Sequence, residues 1–320
     1  MKTPVIFAPS KSEIAVDLID LPPLQPTQVL VETEFSAISP GTELAWLHNL
    51  PNTPGKYPYY PGYSASGRVL ETGQAVDHLS AGQRVVCRSR HAARSVVEAA
   101  SCLPIPEGLA DEAASVYSLG SIVLQGVRKA QIQLGWDVAV IGLGPIGNLA
   151  GQIVRAAGAT HVEGIDPVAW RRDLALQSGF DAVAASAEAT SQPEYDAVIE
   201  AAGVPQTIPP AFQLARQMGH VVLLASTRGE TENVNFYRDV HRKGLTVIGA
   251  HAMNRAKADN HLHFTTLQAD DVTTLKLMAA GRVNVAPLIS DIVSFEDASQ
   301  AYERLAARDE ELMLIVFRWK

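Results

Sequence analysis

The stretch VAVIGLGPIG, residues 138–147, decides the fold of this 320-residue chain. Its apolar start predicts a buried strand, and the three glycines that follow fit the pattern G-x-G-x-x-G. Apolar residues then recur at helical spacing as far as Ala157, and Gly158 can cap the C-terminus of that helix. A second strand, His161–Ile165, leads directly to Asp166. The stretch is therefore predicted as strand, glycine turn, helix and strand.

Each part of this motif has a physical role in binding a dinucleotide. Gly142 permits the tight turn, Gly144 lets the backbone approach a pyrophosphate, and Gly147 lets helix and strand pack closely. Pro145 and Ile146 open the helix, whose unpaired N–H groups and positive dipole end attract phosphates. Together these features predict a dinucleotide cofactor.

Asp166 favours NAD(H) over NADP(H). Its carboxylate can accept hydrogen bonds from the adenosine ribose diol, and its charge would repel a 2′-phosphate. Arg171 and Arg172 lie close enough in sequence to weaken that preference. Arg171 is expected to pack on the adenine, to pair with Asp166, or to lie on a helix surface.

The composition excludes several classes of partner. A net charge of -8 and a pI near 5.6 argue against a nucleic-acid binder. The N-terminus has no signal-peptide pattern, and no run of 18 apolar residues occurs, so no membrane partner is expected. Two cysteines cannot form a disulfide framework, which favours a cytoplasmic protein. The expected partner is therefore a small-molecule substrate.

Strand and helix patterns divide the chain into two domains. Residues 1–118 are β-rich, residues 119–254 alternate strands and helices, and residues 255–320 form a returning tail. The six central strands, which predict a parallel sheet, are Val138–Ile141, His161–Ile165, Asp181–Ala184, Asp196–Glu200, His220–Ala225 and Leu245–Ala250. Helices are expected at Ala169–Gln177, Pro210–Met218, Val272–Ala280 and Glu296–Ala307, and tail strands at Ile289–Phe295 and Met313–Phe317.

The chain resembles the medium-chain dehydrogenase/reductase superfamily over essentially its whole length. The resemblance rests on the glycine turn and on four further segments, at residues 61–69, 82–85, 196–203 and 219–222. It implies an α/β protein with a doubly wound, six-stranded Rossmann domain and a GroES-like β-rich catalytic domain made of 1–118 and 255–320. It also implies an active site in the cleft between them and a homodimer joined through the edge strand Leu245–Ala250.

The zinc ligands of the family's alcohol dehydrogenases are not matched. Ser39-Pro40 stands where a cysteine is expected, Tyr63-Ser64 replaces His-Glu, and Tyr117 lies near the position of the third ligand. These side chains do not offer the thiolate, imidazole or carboxylate that zinc prefers, so no metal is expected. The alternative is a site drawn from Cys87, His91, His48, His251, His261 and His263. The simpler interpretation is a buried cysteine among unrelated histidines.

Without a metal, side chains must polarise the substrate oxygen and move a proton. Tyr63 is the first candidate, although it could merely fill the space left by the metal. The hydroxyls of Ser39 and Thr42 could bind substrate or relay a proton, or could stabilise a turn. Tyr117 could line the same pocket, and His91 could shuttle protons near neutral pH. Lone histidines are more often structural.

Further cofactor contacts are expected after two of the central strands. Ala202 and Gly203 follow the fourth strand, and Ala225 and Ser226 end the fifth. In parallel sheets of this kind, ligands bind outside the carboxyl ends of the strands.

Three functions remain open. The leading one is an NAD(H)-dependent, zinc-independent oxidoreductase that interconverts a secondary alcohol and a ketone. Residues 38–43 resemble, over a shorter match, the subgroup with bacteriochlorophyllide a dehydrogenase and sugar or cyclitol dehydrogenases. The others are an NAD(P)H-dependent enoyl or quinone reductase, against which Asp166 argues, and a catalytically silent NAD-binding protein.

Overall fold

A computed structural model describes residues 1–260, 264–308 and 311–320. The strands in this part of the chain are β1 (Lys2–Phe7), β2 (Ala15–Asp20), β3 (Gln28–Ala37), β4 (Ala65–Thr72), β5 (Arg84–Cys87), β6 (Arg94–Glu98), β7 (Leu103–Pro104), β8 (Asp137–Ile141), β9 (His161–Ile165), β10 (Ala182–Ala184), β11 (Tyr195–Glu200), β12 (Ala215–Leu223), β13 (Thr246–Gly249), β14 (Ile289–Ser294) and β15 (Leu314–Arg318). The α-helices are α1 (Pro40–Leu47), α2 (Asp111–Ala114), α3 (Tyr117–Ala130), α4 (Pro145–Ala157), α5 (Ala169–Gln177), α6 (Ile208–Leu214), α7 (Leu267–Ala279) and α8 (Ala298–Ala307).

The chain forms two compact units. The first unit contains Met1–Ser118 and Leu288–Lys320, and the second contains Leu119–Pro287. The tail was predicted to join the first domain from residue 255, whereas residues 255–260 and 264–287 cluster with the second unit. Asp270 on α7 explains this, since its buried carboxylate lies 2.5 Å from the Arg128 guanidinium of α3.

Six parallel strands form the sheet of the second unit, in the order β10-β9-β8-β11-β12-β13. The strands at its centre are apolar and buried, as parallel strands covered on both faces require. The order reverses between β8 and β11, and this is the switch point at which doubly wound sheets bind ligands. The predicted α/β fold is confirmed.

One predicted helix extends too far. The expected helix Pro210–Met218 ends at Leu214, and the chain continues as β12 from Ala215. The strand pairs with β11, where Ala215 is the partner of Tyr195. This long-range pairing outweighs the local helical pattern of residues 215–218.

Antiparallel strands dominate the first unit. β1 pairs with β2, and a seven-stranded sheet follows the path β14-β15-β3-β4-β5-β7, with β6 also paired to β3. The returning tail joins this sheet because β15 lies antiparallel to β3, with Phe317 opposite Ser36. α1 and α8 pack over the same core, which contains Ile38 and Tyr302. Among the described residues, no helix has both the length and the apolar character needed to cross a membrane.

Candidate functional site

The glycine turn, Gly142–Gly147, lies between β8 and α4 as predicted. A Cβ atom at Gly142, where φ is +88°, would lie 2.6 Å from the backbone of Ala202. At Gly147 it would lie 1.7 Å from the carbonyl oxygen of Gly142. A Cβ at Gly144, by contrast, would meet nothing within 4 Å. Two glycines are thus required by packing, and the third leaves open space at the N-cap of α4, as a bound phosphate needs.

Asp166 ties the end of β9 to the glycine turn. Its carboxylate is 4% exposed and accepts the N–H of Leu143 at 2.8 Å and that of Val168 at 2.9 Å. Each oxygen accepts one peptide N–H, which leaves acceptor capacity for a ribose diol. The Arg171 guanidinium lies 3.8 Å from the carboxylate, so of its three expected roles the structure has the ion pair. Arg172 instead donates to the backbone carbonyl of Asp166 at 2.7 Å.

Glu200, at the end of β11, holds the neighbouring loop. This fully buried carboxylate accepts the N–H groups of Ala202 and Gly203, both at 2.9 Å, and the hydroxyl of Thr207 at 2.8 Å. Burial raises the pKa of Glu200, although these hydrogen bonds oppose the shift. Sequence reasoning did not single it out; an acid ending an apolar strand before Ala-Ala-Gly was the available signal.

The loop after β12 lies beside the loop after β11. The N–H groups of Leu224 and Ala225 both reach the carbonyl oxygen of Glu200, at 3.0 and 3.1 Å. A Cβ at Gly203 would lie 3.3 Å from both Ala225 Cβ and the Ser226 carbonyl oxygen. The glycine turn and the residues predicted for cofactor contact after β11 and β12 thus meet at one edge of the sheet. The residues present fit a dinucleotide, with the glycine turn and Asp166 placed to hold its phosphates and ribose.

Three hydroxyl groups meet in the first unit, and we name Ser39, Thr42 and Tyr63 the hydroxyl cluster. Tyr63 donates to Ser39 Oγ at 2.6 Å, and Ser39 is the N-cap of α1, which carries Thr42 in its first turn. Burial raises the pKa of Tyr63 to about 12, and the charge of Glu43 adds to this. Hydrogen bonding to Ser39 and Thr42 and the charge of Arg88 oppose the shift. Tyr63 is therefore a neutral hydrogen-bond donor near pH 7.

Glu43 lies behind the hydroxyl cluster and is fully buried. Its Oε1 accepts the backbone N–H of Ser39 at 2.8 Å. Its Oε2 lies 3.0 Å from His91 Nε2 and accepts the hydroxyl of Tyr302. A buried carboxylate needs such hydrogen-bond partners. Glu43 therefore fixes the N-terminus of α1, where the Ser39 hydroxyl lies.

His91 is part of the core. The imidazole is fully buried, and its Nδ1 lies 2.8 Å from Ser36 Oγ. Ser36 also accepts the indole N–H of Trp319 at 2.8 Å, so its own proton can go to His91 Nδ1. Nε2–H then donates to Glu43, and both ring nitrogens are occupied. The expected proton shuttle is thus corrected to a buried structural partner, because no ring nitrogen is left for substrate.

Tyr117 begins α3 and is 1% exposed. The Arg88 guanidinium lies 5.6 Å from the centre of its ring, a cation–π distance. Arg88 therefore connects Tyr117 with the hydroxyl cluster. The sequence analysis did not identify Arg88, since nothing near it in the sequence signals a ring partner 29 positions away.

The donor set at the family's zinc position does not fit zinc. Ser39, Pro40, Tyr63 and Tyr117 supply no thiolate, imidazole or carboxylate. Across residues 1–260, 264–308 and 311–320, no three His, Cys, Asp or Glu side chains are grouped to hold a metal. Cys87 packs among apolar side chains.

The remaining histidines of the alternative metal set are not brought together with Cys87. His48 lies 2.8 Å from the hydroxyl of Ser12, and His251 is exposed. His261 and His263 lie outside the described residues.

Known families match most of the chain. Residues 25–139 match the alcohol dehydrogenase GroES-like domain, which confirms the predicted type of the first domain, and residues 145–266 match the zinc-binding dehydrogenase domain. D-guloside 3-dehydrogenase of Shigella flexneri is 25% identical over 253 residues, which cover 75% of this chain and 72% of that protein. Sorbitol dehydrogenase 2 of Saccharomyces cerevisiae is 25% identical over 315 residues, covering 82% and 84%.

Solved structures share the fold. Galactitol-1-phosphate dehydrogenase from Escherichia coli has a TM-score of 0.87 and 22% sequence identity, with 100% of both chains covered. At 22% identity this similarity shows a shared fold and nothing more.

Proposed function

Because the chain belongs to the medium-chain dehydrogenase/reductase superfamily, we propose that it is an NAD(H)-dependent oxidoreductase that interconverts a secondary alcohol and a ketone without a catalytic zinc. The observation that carries this proposal is the hydrogen bond from Tyr63 to Ser39, at the position where relatives bind zinc. A neutral phenol held by a neighbouring hydroxyl is suited to polarise a carbonyl and give it a proton.

Proton transfer is the task of the hydroxyl cluster. When bound, the nicotinamide supplies or takes the hydride at the substrate carbon. In the reducing direction the Tyr63 hydroxyl donates its proton to the carbonyl oxygen, which becomes the alcohol. Ser39 and Thr42, both hydrogen-bonded to Tyr63, relay a proton from solvent back to the phenol oxygen. In the oxidising direction each proton moves the opposite way.

The preference for NAD(H) is assigned to Asp166. A carboxylate at the end of β9 can receive the ribose hydroxyls and repels a 2′-phosphate. Its two backbone hydrogen bonds keep that charge in place beside the glycine turn. Arg171, 3.8 Å away, offsets part of the charge, so we expect a preference rather than strict exclusion of NADP(H).

For the substrate we propose a sugar or polyol with a secondary hydroxyl. The two relatives described above carry names that refer to a guloside and to sorbitol. The hydroxyl cluster supports this class, because several adjacent donors and acceptors suit a substrate that carries several hydroxyls.

The test is a turnover panel of polyols, sugars, simple ketones and enones, each with NAD(H) and with NADP(H), followed by absorbance at 340 nm. Turnover of secondary alcohols or their ketones with NAD(H) supports the proposal. Reduction of enones with NADPH, and no turnover of alcohols, would instead identify a double-bond reductase. Cofactor binding with no turnover across the panel would identify a silent NAD-binding protein.

The proposal includes a cytoplasmic homodimer joined through β13. This strand ends the six-stranded sheet, and its Val247 is 40% exposed, so its outer edge is available for pairing. Cys87 and Cys102 are both free and buried, as suits a reducing compartment. Light scattering should give the mass of two chains, and Val247→Lys should shift it toward one. A monomeric wild-type protein would contradict the dimer.

A further inference from the structure

We propose that Arg88 is a positioning residue for the reaction: its guanidinium stabilises the negative charge that develops on the Tyr63 oxygen as the phenol gives up its proton. The inference rests on the proposed function, because it assumes that Tyr63 transfers a proton. It goes further by naming the positive charge that a zinc-free site needs near the substrate oxygen.

The hairpin of β4 and β5 brings Arg88 to Tyr63. Ala65 on β4 is the register partner of Cys87 on β5. Tyr63 precedes this pair by two residues and Arg88 follows it by one, so both leave the sheet at the same end. Cys87 is fully buried among apolar side chains, which fixes the backbone from which Arg88 extends.

The ring of Tyr117 holds the guanidinium in place. Arg88 lies 5.6 Å from the ring centre, and the buried ring cannot move aside. A cation over an aromatic face keeps its full charge while losing freedom of movement. This contact gives Tyr117 a function that needs no direct contact with substrate.

Two charged groups near Tyr63 affect the cost of its negative charge. Glu43 opposes that charge, and Arg88 favours it. Glu43 is engaged with His91, Tyr302 and the backbone of Ser39. Its charge is therefore partly compensated. Arg88 adds a positive charge to the hydrogen bonds from Ser39 and Thr42 that favour a negative Tyr63 oxygen.

A double-mutant cycle separates this role from a structural one. Arg88→Gln should lower kcat about tenfold while NADH affinity stays unchanged, and Arg88→Lys should restore most of the loss. In the Tyr63→Phe background, Arg88→Gln should cost nothing further, because the group through which it acts is gone. Arg90→Gln is the matched control, since Arg90 lies 4.9 Å from the ring of Tyr60 and has no assigned part in the reaction.

A second readout does not need turnover. With 3-fluorotyrosine at position 63, fluorine NMR reports the pKa of the phenol, which Arg88→Gln should raise and Arg90→Gln should leave unchanged. Equal losses from Arg88→Gln with and without Tyr63, or equal shifts from the Arg88 and Arg90 variants, would overturn the inference. Full activity of Tyr63→Phe would instead refute the proposed mechanism, and the fluorine titration would still show whether Arg88 acts on residue 63.

Discussion

The glycine turn and the hydroxyl cluster differ in how far apart along the chain their parts lie. The motif of the turn lies within residues 138–166, where the hydrogen bond from Leu143 to Asp166 spans 23 positions, and one packing contact, of Gly142 with Ala202, lies outside it. In the first unit, the hydrogen bond from Tyr63 to Ser39 spans a similar 24 positions, but Glu43 behind it takes a hydrogen bond from Tyr302, 259 positions away. One site is fixed by local geometry, and the other by the assembly of a whole domain.

The strongest test of the glycine turn replaces two of its glycines, one at a time, with alanine. Gly147→Ala should cost about 3 kcal/mol or more of folding free energy, because the added Cβ would lie 1.7 Å from a carbonyl oxygen. Gly144→Ala should leave stability unchanged and weaken NADH binding about tenfold, because its Cβ would occupy the open space over the turn. Denaturant unfolding and NADH fluorescence titration measure both effects. Equal stability of the two variants would contradict this division of roles.

For the hydroxyl cluster, the corresponding test is Tyr63→Phe. Removing the proton donor should lower kcat about 100-fold, as loss of a general acid typically does. NADH affinity should not change, because the glycine turn is untouched. Steady-state kinetics and a cofactor titration on the same preparation check the two parts. Unchanged kcat would remove Tyr63 from the mechanism.

A smaller effect is expected from Asp166→Ser. Losing the carboxylate should reduce the preference for NAD over NADP about tenfold, since a 2′-phosphate no longer meets a negative charge. Asp173→Ser, which changes an exposed carboxylate on α5, is the control. The ratio of kcat/KM for the two cofactors is the measurement. A ratio that stays at the wild-type value would show that the charge of Asp166 does not set the preference.

The smallest effect concerns the pH dependence of stability at Glu200. Because burial raises its pKa, the folded state binds the proton more tightly than the unfolded chain does. The stability this gives is present below the unfolded pKa and is lost as pH rises through the folded value. Glu200→Gln keeps a neutral side chain at every pH. The free energy of unfolding of this variant, relative to wild type, should therefore rise with pH, by about 1.4 kcal/mol per unit of pKa shift.

Unfolding of the Glu200→Gln variant and of wild type at pH 5 and pH 8 measures that rise. Glu230→Gln, at an exposed site, is the control. A difference from wild type that is the same at both pH values would show that the buried carboxyl does not titrate in this range.

The same contrast explains what the sequence could predict. The glycine turn, β9, α5 and the Gly158 cap follow from spacing and local propensity, and they occur as predicted. The burial of Glu43 and the ring contact of Arg88 depend on chain segments that only folding brings together. The helix expected at Pro210–Met218 ends at Leu214 for the same reason, since a partner strand decides the structure of residues 215–218.

The central claim is that hydroxyl groups, not a metal, polarise the substrate. Its most direct test is the turnover of secondary alcohols with NAD by protein treated with a strong chelator, with the zinc content measured on the same sample. We predict that full turnover persists at a zinc content far below one ion per chain. Turnover that is lost on chelation and restored by one zinc per chain would contradict the account.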